Sequence, residues 1–303
     1  MTLFIIGNGF DIHHGYDTSY LKFKEFLKSK HYPVGSLNLI DYFPVDDTSM
    51  WTDFENQLEY IDFYDIGSDY VNRLSAEMSD KEYERAYSIN SSLQDSFEEV
   101  PKIMNDALCH ALSEFLYEVE QEKIKKPKSY FDELFNHDDI FITFNYTNLL
   151  EELYNINSAS IKHIHGIYTI PHFDKHDPDL KYNEPSIIFG HGNFAKSEDQ
   201  DLIYEYNPFE PHKSLKYVNQ QLKKNYQINQ WINFIRNNTF TNIEIIGHNL
   251  GVVDAPYFKE LNKIIDKSIK IYYWLYNQNE ENQKKETLKQ YFIGHKIEIK
   301  YYP

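Results

Sequence analysis

The chain has 303 residues, and 47 acidic side chains against 30 basic ones give it a formal net charge of −17 at pH 7. So acidic a surface repels phosphate backbones, and we therefore expect no nucleic-acid partner. The single cysteine, Cys109, excludes an internal disulfide and a multi-cysteine zinc ribbon, so no zinc is expected.

The amino-terminal apolar run does not have the pattern of a signal peptide. Thr2–Ile6 lacks a preceding basic region and ends at a glycine. No apolar stretch approaches the roughly 20 residues that cross a bilayer, so we expect no membrane association. The predicted compartment is the reducing cytoplasm.

The first elements of the chain are a strand and a helix. Thr2–Ile6 enters Gly7-Asn8-Gly9 as a buried strand enters a tight turn. Residues 20–27 carry apolar side chains at helical spacing, with Thr18 or Ser19 placed as the cap.

Residues 46–128 have a different character, because apolar residues there follow the spacing of long amphipathic helices. One helix is predicted around Trp51 and a second, longer one from Leu93 to Val119. Pro101 predicts a kink in that second helix or the start of a new one. We expect 46–128 to form a helical subdomain inserted into an α/β core made of residues 1–45 and 129–303.

The remainder of the chain alternates between strands and helices. Such alternation predicts an α/β fold with a Rossmann-like, mostly parallel sheet. Two polar segments, 172–179 and 192–211, are predicted loops. The predicted strands are 140–144, 161–164, 187–189, 243–246, 269–275 and 296–301, and the predicted helices are 147–154, 215–235 and 257–265.

Five of the predicted strands run into glycine, asparagine or histidine. In a parallel sheet these strand ends emerge at one edge, where open α/β proteins bind ligands. The pattern therefore predicts a binding site built from several separate parts of the chain. Its candidate residues are Gly7, Asn8, Gly9, Asn145, His165, Gly190, His191, Gly247, His248 and Asn249.

Each candidate also has a structural interpretation. The Gly-x-Gly turn has Ile12 where a dinucleotide fingerprint has its third glycine, so it could serve backbone geometry alone. Asp11 could cap the next helix, bind a ribose hydroxyl or act as a base, and Asn145 could be a turn residue. His165 is better placed for function, because Gly166 lets a ligand approach the backbone. We interpret His13, His14 and His163 as structural or surface residues and leave His191 and His248 open.

Five motifs distributed along nearly the whole chain form a set. They are residues 7–15 (GNGFDIHHG) with 18–20 (TSY), 51–55 (WTDFE), 144–147 (FNYT), 164–166 (IHG) and 246–254 (IGHNLGVVD). Together they resemble the AbiH family of bacterial anti-phage abortive-infection proteins. The resemblance implies a role in abortive infection, with a phage trigger or a companion defence protein as partner. Asp254, which ends the last motif, joins the ligand-binding candidates.

Three of these segments are also similar, more distantly, to sirtuin-like domains. The turn at 7–9, the segment 143–151 and the His165-Gly166 step follow the order of the sirtuin glycine turn, Thr-x-Asn-x-Asp segment and His-Gly step. This similarity implies NAD as substrate or ligand, with backbone N–H groups of the Gly7–Gly9 turn donating to its pyrophosphate. It implies that Asn145 positions the nicotinamide ribose and a water, and that His165 accepts a proton. A carboxylate such as Asp11 would stabilise an oxocarbenium-like state.

The sequence departs from the sirtuin pattern at three points. Thr147 stands in place of the aspartate, Asp11 stands in place of a serine, and the zinc-ribbon cysteines are missing, which argues against a protein deacetylase. Three functions remain open. They are hydrolysis of NAD or a related nucleotide, a non-hydrolytic nucleotide-binding sensor or scaffold of a defence system, and a metal-dependent nuclease or phosphohydrolase. The third lacks a His-Glu-x-x-His spacing and would recruit Asp11, His165, His191 or His248.

The helical insertion raises two further expectations. Glu55, one turn after Trp51, either faces the pocket or lies on a solvated face. Long amphipathic helices with many aromatic residues bury more surface than a small subdomain offers, which predicts a homo-oligomer.

Overall fold

The computed structural model describes residues 1–34, 37–43, 47–58, 86–121, 126–168, 187–190, 224 and 226–302. Within these ranges, six parallel strands form one sheet, and two short strands form a separate antiparallel pair. The strands are β1 (Thr2–Ile6), β2 (Pro33–Val34), β3 (Leu37–Asn38), β4 (Ile140–Thr143), β5 (Ile161–His163), β6 (Asn242–Ile246), β7 (Lys270–Leu275) and β8 (Ile297–Tyr301).

Helices cover both faces of the large sheet. They are α1 (Gly9–His13), α2 (Tyr20–Ser29), α3 (Thr48–Thr52), α4 (Phe54–Gln57), α5 (Ala86–Gln121), α6 (Ser129–Leu134), α7 (Leu149–Tyr154), α8 (Ile228–Arg236), α9 (Ala255–Ile264) and α10 (Glu281–Tyr291). Short 3-10 turns occupy Leu39–Tyr42, Ser158–Ser160, Val252–Asp254 and Gln278–Glu280. In the described part of the chain, no helix is long and apolar enough to cross a membrane.

The sheet has the doubly wound topology of Rossmann-type folds. Its strand order is β5-β4-β1-β6-β7-β8, and every pairing is parallel. The chain builds outward from β1 on one side and then returns to build outward from β6 on the other. The order therefore reverses between β1 and β6, and ligands bind in the crevice at such a switch point. The predicted α/β fold class is confirmed.

The central strand β1 explains how the two faces are built. Successive strand residues point to opposite faces of a sheet. Leu3 and Ile5 accordingly belong to one apolar core with α8, α9 and α10, whereas Phe4 and Ile6 belong to a second core with α2 and α5. Burial on both faces explains why TLFII is a continuous apolar run without polar alternation.

The helical insertion shares the second of these cores. Trp51 and Phe54 stack with ring centroids 4.6 Å apart, and Phe115 of α5 lies 5.5 Å from Phe23 of α2. The predicted helical character of the insertion is confirmed in the described residues, which exclude 59–85. Its exact boundaries at 46 and 128 stay a prediction.

The long helix α5 passes through Pro101 without ending there. The alternative that a new helix starts at Pro101 is therefore wrong. A proline removes one intrahelical hydrogen bond, but packing can keep the helix continuous. On the carboxyl side of the proline, Met104, Leu108, Leu112 and Phe115 are all buried.

Two other predicted elements differ from the structure. Residues 187–189 are not a strand; the Ile188 N–H donates to the His165 carbonyl (2.7 Å) without forming a ladder. The described part of the helix predicted at 215–235 begins only at Ile228. The segments 172–179 and 192–211, predicted to be loops, lie outside the described residues.

Glycines let the turns after β1 and β6 make direct backbone contact. Gly247 has φ +67°, and a Cβ on it would lie 2.2 Å from the Phe10 nitrogen. A Cβ on Gly7 would lie 2.5 Å from the His248 Cα. Both positions therefore exclude any side chain.

We expect Gly247→Ala to lower the free energy of unfolding by about 2–5 kcal/mol, because it adds a backbone clash to the cost of a positive φ. Gly15→Ala is the matched control, since Gly15 also has a positive φ (+85°) but a Cβ on it would meet nothing within 4 Å. It should lose only about 1–2 kcal/mol. Urea denaturation measures both, and equal losses would show that the contact between the turns is unimportant.

Candidate functional site

A cavity of about 730 Å³ lies at the carboxyl edge of the sheet, where the turns after β1 and β6 meet. It brings together residues from the carboxyl ends of all six strands of the large sheet and from the insertion. Gly190 is buried but is not among the lining residues, and His191 lies outside the described residues. The sequence-predicted residues that line the cavity are Gly7, Asn8, Gly9, Asp11, Asn145, His165, Gly247, His248, Asn249 and Asp254.

The first polar cluster joins α1 to the segment after β4. The Asn145 Nδ2 donates to Asp11 Oδ1 (2.6 Å) and also to the Gly7 carbonyl (3.2 Å). The Thr147 hydroxyl donates to Asp11 Oδ2 (2.8 Å). Asp11 lies inside α1 with its carboxylate in this network, so the helix-capping interpretation of Asp11 is wrong, as is the interpretation of Asn145 as a turn residue only.

Asp11 has an unusual protonation equilibrium. Its burial raises the pKa to about 7, although the hydrogen bonds from Thr147 and Asn145 act in the opposite direction. Near neutral pH both the protonated and the ionised form of this carboxyl group are therefore populated. Perturbed carboxyl groups of this kind are common in catalytic sites.

The second polar cluster has Asp254 at its centre. The His165 Nε2 lies 3.4 Å from Asp254 Oδ1, and the His248 Nε2 lies 3.5 Å from Asp254 Oδ2. The Leu250 N–H donates to His248 Nδ1 (2.9 Å). A neutral His248 ring therefore carries its proton on Nε2, directed toward the Asp254 carboxylate.

Glu55 and Lys224, the latter outside every sequence motif, complete this cluster. The Lys224 Nζ lies 2.7 Å from Glu55 Oε2 and 3.3 Å from Asp254 Oδ1. Glu55 also accepts hydrogen bonds from the hydroxyls of Tyr20 (2.7 Å) and Tyr146 (3.1 Å). Glu55 thus faces the cavity, and the solvated alternative is wrong. Nothing in the sequence around Lys224 distinguishes it from a surface lysine.

The environment of the second cluster favours an ionised Asp254 and a neutral His165. Burial disfavours ionisation of Asp254, but the Lys224 ammonium and the contacts with His165 and His248 together outweigh burial and hold the pKa of Asp254 well below its ordinary value. Burial, assisted by the Lys224 charge, lowers the pKa of His165. The buried His165 Nε2 has no hydrogen-bond partner among the described residues. His165 is therefore a neutral imidazole at pH 7, able to accept a proton.

The glycine turn is already occupied by protein contacts. The Gly7 N–H donates to the Ile246 carbonyl (2.9 Å) and the Gly9 N–H to the Gly247 carbonyl (2.8 Å). Asn8 exchanges hydrogen bonds with Thr18. The expectation that the amides of Gly7 and Gly9 hold a pyrophosphate is therefore wrong, because these glycines serve the close approach of two turns.

The other histidines in question have structural contacts. His14 bonds the Phe10 carbonyl through Nδ1 (2.7 Å), and His163 bonds Glu151 (2.9 Å). His13 packs its ring 4.9 Å from that of Tyr302. These contacts agree with the structural interpretation of His14 and His163, whereas His13 also lines the cavity.

A doubly wound parallel sheet with a polar cavity at its switch point is the architecture of nucleotide-binding α/β proteins. The family model described as "Bacteriophage abortive infection AbiH" matches residues 3–275, and the chain belongs to this family. The resemblance read from the motifs is thus confirmed. Searches of curated proteins and of solved structures found no match.

The raised pKa of Asp11 predicts how stability depends on pH. Above its ordinary pKa, the unfolded chain has lost the Asp11 proton while the folded protein retains it up to about pH 7. The free energy of unfolding therefore falls as pH rises through this window. Relative to Asp11→Asn, the wild type should lose about 3 kcal/mol between about pH 5 and about pH 8. Urea denaturation across this range measures the difference. Asp138→Asn, at an exposed position, is the control and should follow the wild type, and a parallel Asp11→Asn curve would contradict the assignment.

Lys224 should be a large contributor to stability. Lys224→Met leaves the Glu55 and Asp254 carboxylates buried without their cation, which should cost about 3–5 kcal/mol of unfolding free energy. Adding Glu55→Gln removes one of the two charges and should recover part of the loss. Lys263→Met, which breaks an ion pair with a 65% exposed lysine, is the control and should cost less than about 1 kcal/mol. A Lys224→Met protein as stable as the wild type would contradict this account.

Proposed function

We propose that this protein acts in abortive infection by hydrolysing the N-glycosidic bond of NAD or a related dinucleotide. The observation that carries the proposal is the convergence of Asn145 and the neutral His165 on one cavity, beside the Asp11 carboxyl group. Water would add to the ribose C1′ as the bond to the nicotinamide nitrogen breaks. The nicotinamide leaves with the bonding electron pair, and the water loses a proton.

Asn145 is suited to position the reacting groups. Its Nδ2 is held by Asp11 and the Gly7 carbonyl, which fixes the amide orientation. Its Oδ1 is buried and has no hydrogen-bond partner in the part of the chain that the structure describes. An unsatisfied buried acceptor is costly, and a ribose hydroxyl or a water would satisfy it.

His165 is suited to proton transfer, and Asp11 is suited to electrostatic stabilisation. The neutral His165 ring accepts the proton from the water or from a ribose hydroxyl, and the Asp254 carboxylate, 3.4 Å from Nε2, stabilises the resulting imidazolium. The ionised Asp11 carboxylate stabilises the positive charge that develops on the ribose ring. Since the pKa of Asp11 is about 7, this second contribution grows as pH rises through that value.

The departures from the sirtuin pattern at positions 11 and 147 are reciprocal. The pattern has a hydroxyl residue at the first position and an aspartate at the second, and here Asp11 and Thr147 are the other way round. The Thr147 hydroxyl donates to the Asp11 carboxylate at 2.8 Å. The two residue types of the pattern are thus exchanged between these positions, and in this chain they contact each other, which supports the analogy in chemistry.

A nucleotide sensor without hydrolysis is the second candidate. The observation that favours it is Glu55, which extends from α4 into the cavity and pairs there with Lys224. A ligand that competes for these groups would alter the contact between the insertion and the sheet. A metal-dependent nuclease has less support, because no group of three or more His, Cys, Asp or Glu side chains in the described ranges could hold a metal ion. The phage trigger, the companion protein and the homo-oligomer stay predictions.

Single substitutions in the segments that follow β4 and β5 test the hydrolase. His165→Ala should lower the turnover of NAD by about 10²–10⁴-fold, because it removes the proposed base. Asn145→Ala should lower turnover more than it weakens NAD binding, because the amide acts most strongly in the transition state. His163→Ala is the matched control, since His163 lies two residues away but bonds Glu151 outside the cavity. It should keep wild-type turnover.

The measurement is intracellular NAD followed together with survival in phage-challenged cells that express each variant. Loss of protection with preserved NAD in the His165 and Asn145 variants, but not in the His163 variant, is the expected result. Protection by the wild type with NAD unchanged would reject hydrolysis and favour the sensor. In a purified active protein, turnover should rise with pH through about 7.

A further inference from the structure

A pyrophosphate group needs a cationic or N–H donor, and the amides of Gly7 and Gly9 are already engaged. Among the described residues that line the cavity, Lys284 is the one lysine or arginine. It lies in the first turn of α10, an element that the sequence analysis did not single out. Its surroundings indicate what it binds.

Lys284 is a buried cation without an ion pair among the described residues. Its residue is only 8% exposed, and its Nζ donates to the Asn249 carbonyl (2.9 Å) and to Asn249 Oδ1 (2.5 Å). In the part of the chain that the structure describes, no carboxylate lies within ion-pair distance, and the third N–H has no partner. Glu280, one turn earlier, accepts a hydrogen bond from Asn277 instead (3.2 Å).

The position of Lys284 adds a second cost. The amino-terminal end of a helix carries a partial positive charge, so a cation in the first turn of α10 is unfavourable there. Burial of the ammonium is also unfavourable, and it lowers the pKa of Lys284 although the charge of Glu280 acts in the opposite direction. A bound anion would reverse both costs.

Asn249 orients this cation and adjoins the second polar cluster. Its Oδ1 is occupied by Lys284, which leaves its Nδ2 as a second donor. Asn249 directly follows His248, whose ring contacts Asp254. Lys284, the Asn249 that orients it and the second polar cluster thus all face one cavity.

We propose that Lys284 and Asn249 form a phosphate-binding site that holds the pyrophosphate group of a dinucleotide. The Lys284 ammonium donates its third N–H to a phosphate oxygen, and the Asn249 Nδ2 donates to a second one. That the phosphate belongs to a dinucleotide rests on the proposed function. The phosphate site itself rests on the buried Lys284 ammonium, which has no ion pair among the described residues.

Isothermal titration calorimetry on the full chain tests this assignment with inorganic pyrophosphate, ADP and adenosine. Lys284→Gln should weaken pyrophosphate and ADP binding by about tenfold to a hundredfold, because it removes a charge-assisted hydrogen bond. Adenosine lacks phosphate, so its affinity should not change. Lys284→Arg should keep part of the affinity. Lys285→Gln, on the same helix but 43% exposed and paired with Glu281, is the control.

Thermal unfolding separates a binding role from a structural one. Pyrophosphate should raise the Tm of the wild type and of Lys285→Gln but not that of Lys284→Gln. Failure of the wild type to bind pyrophosphate or ADP, or equal binding by Lys284→Gln, would overturn the site. If phosphate binding depends on Lys284 while NAD stays intact in challenged cells, the phosphate site stands and the hydrolase is rejected. If NAD falls in challenged cells while phosphate binding does not depend on Lys284, the phosphate site is rejected and the hydrolase stands.

Discussion

The candidate site depends on the direct backbone contact between the turns that follow β1 and β6. Gly7 and Gly247 make this contact possible, because a Cβ on either would overlap the opposite turn. The Gly7 carbonyl accepts a hydrogen bond from Asn145, so the contact also sets the position of the segment after β4. Asp11 follows on the next helix and reaches the same amide. Close approach of two strands thus assembles a polar network from three separate segments.

Buried charge is the second organising constraint. Some charged groups of the site form ion pairs, whereas others have only neutral hydrogen-bond partners. Lys224 pairs with both Glu55 and Asp254 and offsets part of their charge, which lets two carboxylates and two histidines lie together out of water. Asp11 has only neutral hydrogen-bond donors, and Lys284 has only neutral acceptors. Groups left in this state cost stability and are stabilised by a ligand of the opposite charge. A cationic transition state beside Asp11 and an anionic phosphate beside Lys284 fit this arrangement.

Local sequence patterns predicted most of the fold because most strands are short apolar runs and most helices have apolar residues at helical spacing. The strand TLFII, which is buried on both faces, and the helix over residues 20–27 could be predicted without tertiary information. Packing overruled local signals elsewhere. Pro101 did not end α5, because buried apolar residues follow it at helical spacing. The polar helix α10 was not predicted, since among its residues only Lys284, Leu288 and Tyr291 are buried.

For the site, the sequence by itself determined which strand ends carry polar residues, because in a parallel sheet those ends must share one edge. It could not determine what each residue contacts. Asp11, Asn145 and Thr147 were all named in advance, but their hydrogen bonds span more than 130 positions. Lys224 and Lys284 carry no local signal, since a lysine becomes a functional cation only when folding removes it from water. Tertiary structure alone decided their charge environment, because burial depends on neighbours that are distant in the chain.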